Sequence, residues 1–189
     1  RDMLGGAPGQ WPWWQTSMMV VAYLLSFDFC YYWFHRAQHA WPFLWRFHRL
    51  HHSDISISST SSFRHHWMEE TFRYFVIAIP LYMLFGRPTE YAPFIGLTIG
   101  AFGLFIHANI RLDMGPLTHV IIGPRYHRMH HSIAETEINR NFATFFPIWD
   151  RVFGTQALPR KNENPDTGIA TDRKPNGILQ ILPVPPLHS

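Results

Sequence analysis

The chain carries three long apolar runs, separated by stretches dense in histidine and arginine. The first, Ser17 to Phe34, is almost wholly apolar. Extended by the helical turn that carries His35 and His39, it is long enough to cross a bilayer. The other two, Thr71–Gly86 and Ala92–Ala108, are 16 and 17 residues long and flank a polar turn, Gly86-Arg87-Pro88-Thr89-Glu90. They read as a membrane hairpin at the lower edge of spanning length, with a buried hairpin of a soluble protein as the alternative. Pro80 is expected to kink the first arm. The rest is shorter. Trp41 to His52 reads as an aromatic helix and Ser53 to Ser62 as a polar surface connection. A further helix opens at Arg64–Glu70, a loop covers 110–126, and a helical turn holds His127–His131. Residues 1–16 are loop-like and end in Trp11-Pro12-Trp13-Trp14, which resembles an interfacial aromatic belt. The expected fold is all-α: an integral-membrane helical bundle with a cytosolic helical cap. One catalytic domain spans 1–155, followed by a polar, Pro-rich tail over 156–189. Beginning at Arg1 rather than Met, the chain reads as a piece of something longer.

Charge placement favours the membrane. If Arg1 and Arg87 lie outside, the remaining 14 of 16 Lys+Arg share the other side with every histidine cluster. That is the positive-inside pattern for three spans, which places the cluster side in the cytosol of a bacterial inner membrane or an ER-type membrane. Composition changes the picture in two ways. The net charge is only +3, and the arginines are interleaved with histidines instead of forming a stripe, which excludes nucleic acid as a partner. Cys30 is the only cysteine, which excludes an intrachain disulfide and any cysteine-based zinc or iron–sulfur site.

The chemistry lies in the histidines, 13 in all. His48-Arg49-Leu50-His51-His52 and His127-Arg128-Met129-His130-His131 share the pattern H-R-x-H-H. On a helix, positions i, i+3 and i+4 fall on one face, so each copy aims three imidazoles at one point. His35 and His39, at i and i+4, add two more. Incidental surface histidines do not produce the same spacing twice, so these eight read as a metal site, one holding two metals. Neutral imidazoles suit iron, zinc, copper or nickel. Asp28, an acid inside an apolar run and two turns before His35, is a candidate to orient that ring through its other nitrogen, or else to bond a neighbouring helix. Asp150 is a second candidate for such a bond.

These motifs together resemble the sterol desaturase / fatty acid hydroxylase superfamily of integral-membrane di-iron enzymes. The resemblance covers about residues 24–155. It is carried by D-F-C-Y-Y-W-F-H-R-A-Q-H (Asp28 to His39), H-R-L-H-H-S (His48 to Ser53), Arg64 to Glu69, His107-Ala108-Asn109, H-R-M-H-H-S (His127 to Ser132) and W-D-R-V-F-G-T (Trp149 to Thr155). It implies a metal-ligand set of His35, His39, His48, His51, His52, His66, His107, His127, His130 and His131, five per metal. Glu69 and Asn109 join Asp28 and Asp150 as residues supporting those ligands. Trp67 stands where the family motif has proline, and Ala143 where it has glycine. His65, His119 and His188 match no motif. The family commonly carries further membrane helices before the first histidine motif, which also implies a truncated chain.

By resemblance the cofactor is a pair of iron ions, with zinc as a substitute, and O2 is co-substrate. The reaction is hydroxylation or desaturation of an unactivated C–H bond in a membrane lipid. Sterols, fatty acyl chains, sphingoid bases, alkyl ether lipids and carotenoids all stay open. No cytochrome b5-like or ferredoxin-like segment lies within these residues, so a separate donor is implied. Arg125, Arg128, Arg140 and Arg151 are candidates to dock it, or to face lipid headgroups. The competing classes are a histidine-rich metal-binding or transport protein, a haem protein and a metal-dependent hydrolase. Transport predicts ionisable residues along the spans, haem needs two facing ligands, and a hydrolase mixes carboxylates with histidines.

Overall fold

The computed structural model describes residues 12–86, 92–160 and 163–169. Arg1, Trp11, Arg87, His188, the hairpin turn and most of the tail lie outside the described residues. Helix α1 runs Trp13–Ala40, α2 Pro42–His52, α3 Trp67–Arg73, α4 Ile79–Phe85, α5 Ala92–Ile106, α6 Pro124–His130 and α7 Ile148–Val152. No strand is present among the described residues; Ser132 and Thr167 form one isolated β-bridge.

Helix α1 is apolar all round, and its two ends differ. Near its start Trp13, Trp14, Met18 and Val21 are exposed, whereas Asp28, Tyr32, Phe34, His35 and Gln38 are buried near its end. It is the one described helix long and apolar enough to cross a membrane; α5 is apolar but shorter. Trp41 turns the chain into extended conformation, and Pro42 at the first turn of α2, where no N–H is needed, starts the next helix. That helix is amphipathic, burying Phe47, His48, His51 and His52. The first hairpin arm is α3, a π-helical turn at Tyr74–Ala78, then α4. Pro80, in the first turn of α4, has no N–H to return to the preceding turn, and the widened turn lies directly before it.

The largest core cluster sits at the histidine end. Tyr32, Ile106, Ile122, Tyr126, Phe142 and Ala143 are buried together, with Phe102, Phe105, Trp149 and Phe153 packed against them. Away from it, α4 and α5 turn outward large apolar side chains: Ile79, Tyr82, Met83, Leu84, Phe94 and Leu97 are exposed. Two buried carboxylates fix the loop between α6 and α7. Asp150 accepts the N–H groups of Phe142 and Ala143, and Asp28 those of Thr144, Phe145 and Phe146. Five consecutive amides are thus held from two helices. Asp150 also accepts the hydroxyls of Thr155 and Tyr126, and the Tyr32 hydroxyl lies 3.0 Å from that of Thr155. Gly154, between them in the motif, has φ 72, a conformation that favours glycine.

Candidate metal centre

Four of the seven helices deliver imidazoles to one region: α1, α2 and α6, with α5 ending one residue before His107. Their nitrogens fall into two groups. His35, His39, His48, His52 and His130 form the first; His51, His107, His127 and His131 form the second. Within each group one nitrogen per ring lies within 4.8 Å of every other. Each H-R-x-H-H motif contributes to both, so the two groups are neighbours: His51 and His52 lie on either side of His131, at 4.6 and 4.4 Å between ring centroids.

The orientation of the rings is specific. In the first group Nε2 of His48 lies 3.1 Å from Nε2 of both His35 and His52, and Nε2 of His52 lies 3.1 Å from those of His39 and His130. In the second, Nε2 of His107 is 3.1 Å from His51 and 3.0 Å from His127, which is 3.2 Å from His131. In five of the rings the other nitrogen points outward to an acceptor. The Nδ1–H of His35 donates to the Phe142 carbonyl at 2.8 Å, that of His130 to the Arg140 carbonyl at 2.8 Å, and that of His107 to the Gly103 carbonyl at 2.7 Å. His48 donates to Glu69 Oε1 at 2.8 Å and His39 to Asn139 Oδ1 at 3.2 Å.

Those acceptors fix the tautomer. A carbonyl or carboxylate oxygen can only accept, so the proton sits on Nδ1 and Nε2 presents a bare lone pair. The inward contact between His35 and His48 therefore brings lone pair against lone pair with no proton between them. Only a cation at the centre turns that arrangement from repulsive to attractive. Donors about 2.1 Å from one ion lie roughly 3 Å apart, which is the spacing observed. The rings are also held neutral. Burial first, then neighbouring imidazoles, keeps His51, His52, His127 and His131 well below the ordinary range. Burial likewise lowers His107 to about 4 and His130 to about 3. The residues present thus fit two transition-metal ions bound through nitrogen.

Three residues expected to support ligands, Asp28, Asp150 and Asn109, and one expected as a ligand, His66, have other partners here. Asp28 reaches no histidine; its carboxylate is taken by the 144–146 amides, and a backbone carbonyl orients His35 instead. Asp150 likewise holds backbone and hydroxyl groups, not an imidazole. Asn109 accepts from Arg128 at the surface. His66 is buried but belongs to neither group: its Nδ1 accepts the Met68 N–H and caps α3. Ala143 occupies the position of the family glycine without strain, because the left-handed residues of this loop are Asn139 and Asn141.

Glu69 accepts from His48, and it holds a second ring as well. His65 donates to the same Oε1 at 3.1 Å and stacks on His51 at 4.4 Å. Burial alone would raise the Glu69 carboxyl; the imidazoles of His48 and His65 outweigh it and hold it well below the usual carboxylate range. His65 matched no motif; it lies in the segment before α3, four residues ahead of Glu69. Asn139 was also missed. Its one signal is that asparagine tolerates the left-handed backbone, φ 60, that aims its side chain at His39.

Among the described residues, an all-helical scaffold gathers nine imidazoles into two adjoining groups that could each hold a metal ion. The chain belongs to the fatty acid hydroxylase family, whose profile matches residues 20–155. It is 36% identical over 178 residues to an ornithine lipid hydroxylase of Rhizobium tropici, covering 94% of this chain and 52% of that protein. Against an alkylglycerol monooxygenase of Danio rerio the identity is 33% over 147 residues, 78% of this chain and 31% of the relative. A very-long-chain aldehyde decarbonylase of Arabidopsis thaliana is 30% identical over 159 residues, 77% and 25%. The chain thus spans about half the length of the first relative and about a third or less of the others. No solved structure matches it.

Proposed function

We propose that this chain is the catalytic region of an O2-dependent, membrane-embedded di-iron enzyme that hydroxylates an unactivated C–H bond of a lipid. The observation that carries the reading is the convergence of imidazole Nε2 atoms in two adjoining nests. The names of the relatives, a lipid hydroxylase and a monooxygenase, support hydroxylation over desaturation. The ligands are His35, His39, His48, His52 and His130 in one nest and His51, His107, His127 and His131 in the other. His66 is assigned as the cap of α3 and not as a ligand. Bound there, two ferrous ions supply reductive activation of O2, with two electrons from a separate donor.

The residues of the chain do the rest. Glu69, Asn139 and the carbonyls of Gly103, Arg140 and Phe142 fix the orientation of five rings, so those five lone pairs stay aimed when substrate enters. Asp28 and Asp150 hold the 142–146 backbone, and with it the Phe142 carbonyl that orients His35. Aromatic packing around the nests, Tyr32, Phe142 and Phe145 among it, excludes water from the site. Arms α4 and α5, whose outward faces are apolar, lie in the bilayer beside α1, with the nests at its cytosolic surface. Metal analysis of protein extracted from membranes, with lipid profiling of a host with and without the gene, tests the reading. Two irons per chain and a gene-dependent oxygenated lipid are expected. An unchanged lipid profile, with no O2 consumption by the iron-loaded and reduced protein, overturns it.

A further inference from the structure

Each nest faces a chamber of its own, and the two chambers share no described wall residue. The larger, beside the second nest, runs between α1, α4 and α5, past Phe27, Ile77, Leu81, Ile99 and Ile106. The smaller, about 310 Å³, touches His39, His52 and His130 of the first nest. Its wall also includes Ile133, Ile138 and Asn139, which are exposed, so this chamber reaches from the ligands to the surface. Among the described residues its wall holds no Asp, Glu, Lys or Arg.

His39, at the junction of chamber and nest, differs from the other eight rings in two ways. It is the only one not fully buried. Its Nδ1–H is tethered by a side chain, the Oδ1 of exposed Asn139 at 3.2 Å, whereas His35, His107 and His130 are tethered by backbone carbonyls at 2.8 Å or less and His48 by a buried carboxylate. A ring held by one exposed side chain can swing without disturbing the backbone around it.

Residues 163–169, expected as part of a polar tail, form one side of the same chamber. The Ile133 N–H donates to the Asp166 carbonyl at 3.1 Å, the Gly168 N–H to the His131 carbonyl at 3.3 Å, and Arg128 Nε to the Pro165 carbonyl at 2.9 Å. Thr167, bridged to Ser132, is buried. Gly168 lies so close to the connection after α2 that an added Cβ would stand 3.3 Å from Cγ2 of Ile55, and its φ of 136 favours glycine. This strap brings Gly168 and Ile169 into the chamber wall. A metal ion arrives hydrated and gives up its water only as ligands replace it, and apolar walls within a bilayer exclude it. The smaller chamber offers it the Asn139 oxygen and then the His39 ring.

Resting on the metal centre of the function proposed above, we propose that the smaller chamber is the port by which a hydrated divalent transition-metal ion enters and leaves the first nest. His39 is the ring that captures the ion, and Ile169 on the strap is the cover that sets the rate of passage. A cover acts on both directions alike, so it changes uptake and release by the same factor and leaves affinity as it was.

The test uses the full chain in detergent with cobalt(II) as the probe. Uptake and chelator-driven release are followed by the cobalt absorption, and the dissociation constant is measured at equilibrium. Ile169→Gly is expected to speed both uptake and release about tenfold, the rate equivalent of removing one half-buried apolar side chain from the cover. Ile169→Trp slows both, at unchanged cobalt stoichiometry and dissociation constant. Gly168→Pro, which removes the N–H bonded to the His131 carbonyl and cannot adopt φ 136, also speeds both. Ile169 variants that leave both rates unchanged, or that alter release alone and so alter affinity, overturn the proposal. So does a Leu81→Trp variant, narrowed in the other chamber, that slows both rates as much as Ile169→Trp. A chain that binds no cobalt overturns the port and the metal centre together. A chain that loads through the port as described yet oxygenates no lipid overturns the enzyme reading alone.

Discussion

Each ligand-candidate histidine has two ring nitrogens, and in five of these rings the two face different tasks. Nε2 faces the nest, and Nδ1 is tethered to a fixed acceptor. Losing a ring and losing a tether therefore have different consequences. His130→Ala is expected to empty the first nest and His51→Ala the second, each read as lost metal equivalents by mass spectrometry. His119→Ala, at an exposed ring touched only by Arg151, leaves metal and activity as they were. Glu69→Leu removes the tether of His48 while leaving every ligand in place. A lost orienting partner costs about 10–100-fold in metal affinity, measurable by competition with a chelator. Glu69→Gln, which keeps one acceptor oxygen, falls between. The tethers explain how far these roles were legible. The nest-facing residues announce themselves by the i, i+3, i+4 spacing of the two H-R-x-H-H motifs. Three of the five tethers are backbone carbonyls, which any residue provides, so no side chain marks them. Asp28 shows the opposite error: an acid one helical face below a ligand looks like a tether, but the amides of 144–146 approach it from a segment more than a hundred residues away.

At the scale of elements, helices carry the rings and one irregular segment locks them. Residues 139–146 provide the tethers of His35, His39 and His130 and are themselves held by side chains from both directions. Asn141 is buried within that segment. Its amide donates to the Tyr126 and Ala157 carbonyls, and its Oδ1 accepts the Ala157 N–H. Its backbone is left-handed, φ 57. Asn141→Ala removes the side-chain partner of the Tyr126 carbonyl and of the half-buried Ala157 carbonyl and N–H, and puts a Cβ-bearing residue without a compensating bond in that conformation. The expected cost is about 3 kcal/mol or more, seen as a lower melting temperature, with metal lost from the first nest before the second. Asn141→Gly relieves only the backbone and recovers a minor part. Asp28→Ala deprives three amides of their acceptor and belongs to the same class, at about 3 kcal/mol or more. Helix α2 was readable as a short aromatic helix, whereas α6 was readable only as a turn at its histidines and begins at Pro124, inside the expected loop. The π turn ahead of Pro80 was readable only as a disturbance, because a proline fixes where the ladder fails and not how the turn before it widens.

At the scale of the whole molecule, the apolar runs were plain in the sequence; α1 is the one described helix long and apolar enough to cross a membrane, and α5 is apolar but shorter. The assembly of two nests from four helix ends was visible only as a count of ligands, since i, i+4 spacing says which rings share a face but not which faces meet. That assembly has a consequence for stability. Nine imidazoles are packed at one end of the bundle, and those of His51, His52, His127 and His131 are held neutral by burial. In the unfolded chain each would titrate near 6.5. Below that pH the unfolded state takes up protons that the folded state refuses, so stability falls as pH falls, by up to about 1.4 kcal/mol per pH unit for each such ring. Above about pH 7.5 the effect vanishes, because neither state is protonated. Metal opposes the loss, contributing about 4 kcal/mol when its concentration exceeds the dissociation constant a thousandfold, and protons compete with it for the same lone pairs. Chelated protein in detergent should therefore melt progressively lower from pH 7.5 to 5.5, while metal-loaded protein holds its melting temperature until the metal leaves and then drops to the chelated curve. A chelated protein whose melting temperature is flat across that range would mean that the rings are not jointly buried, and the two nests would lose their physical basis.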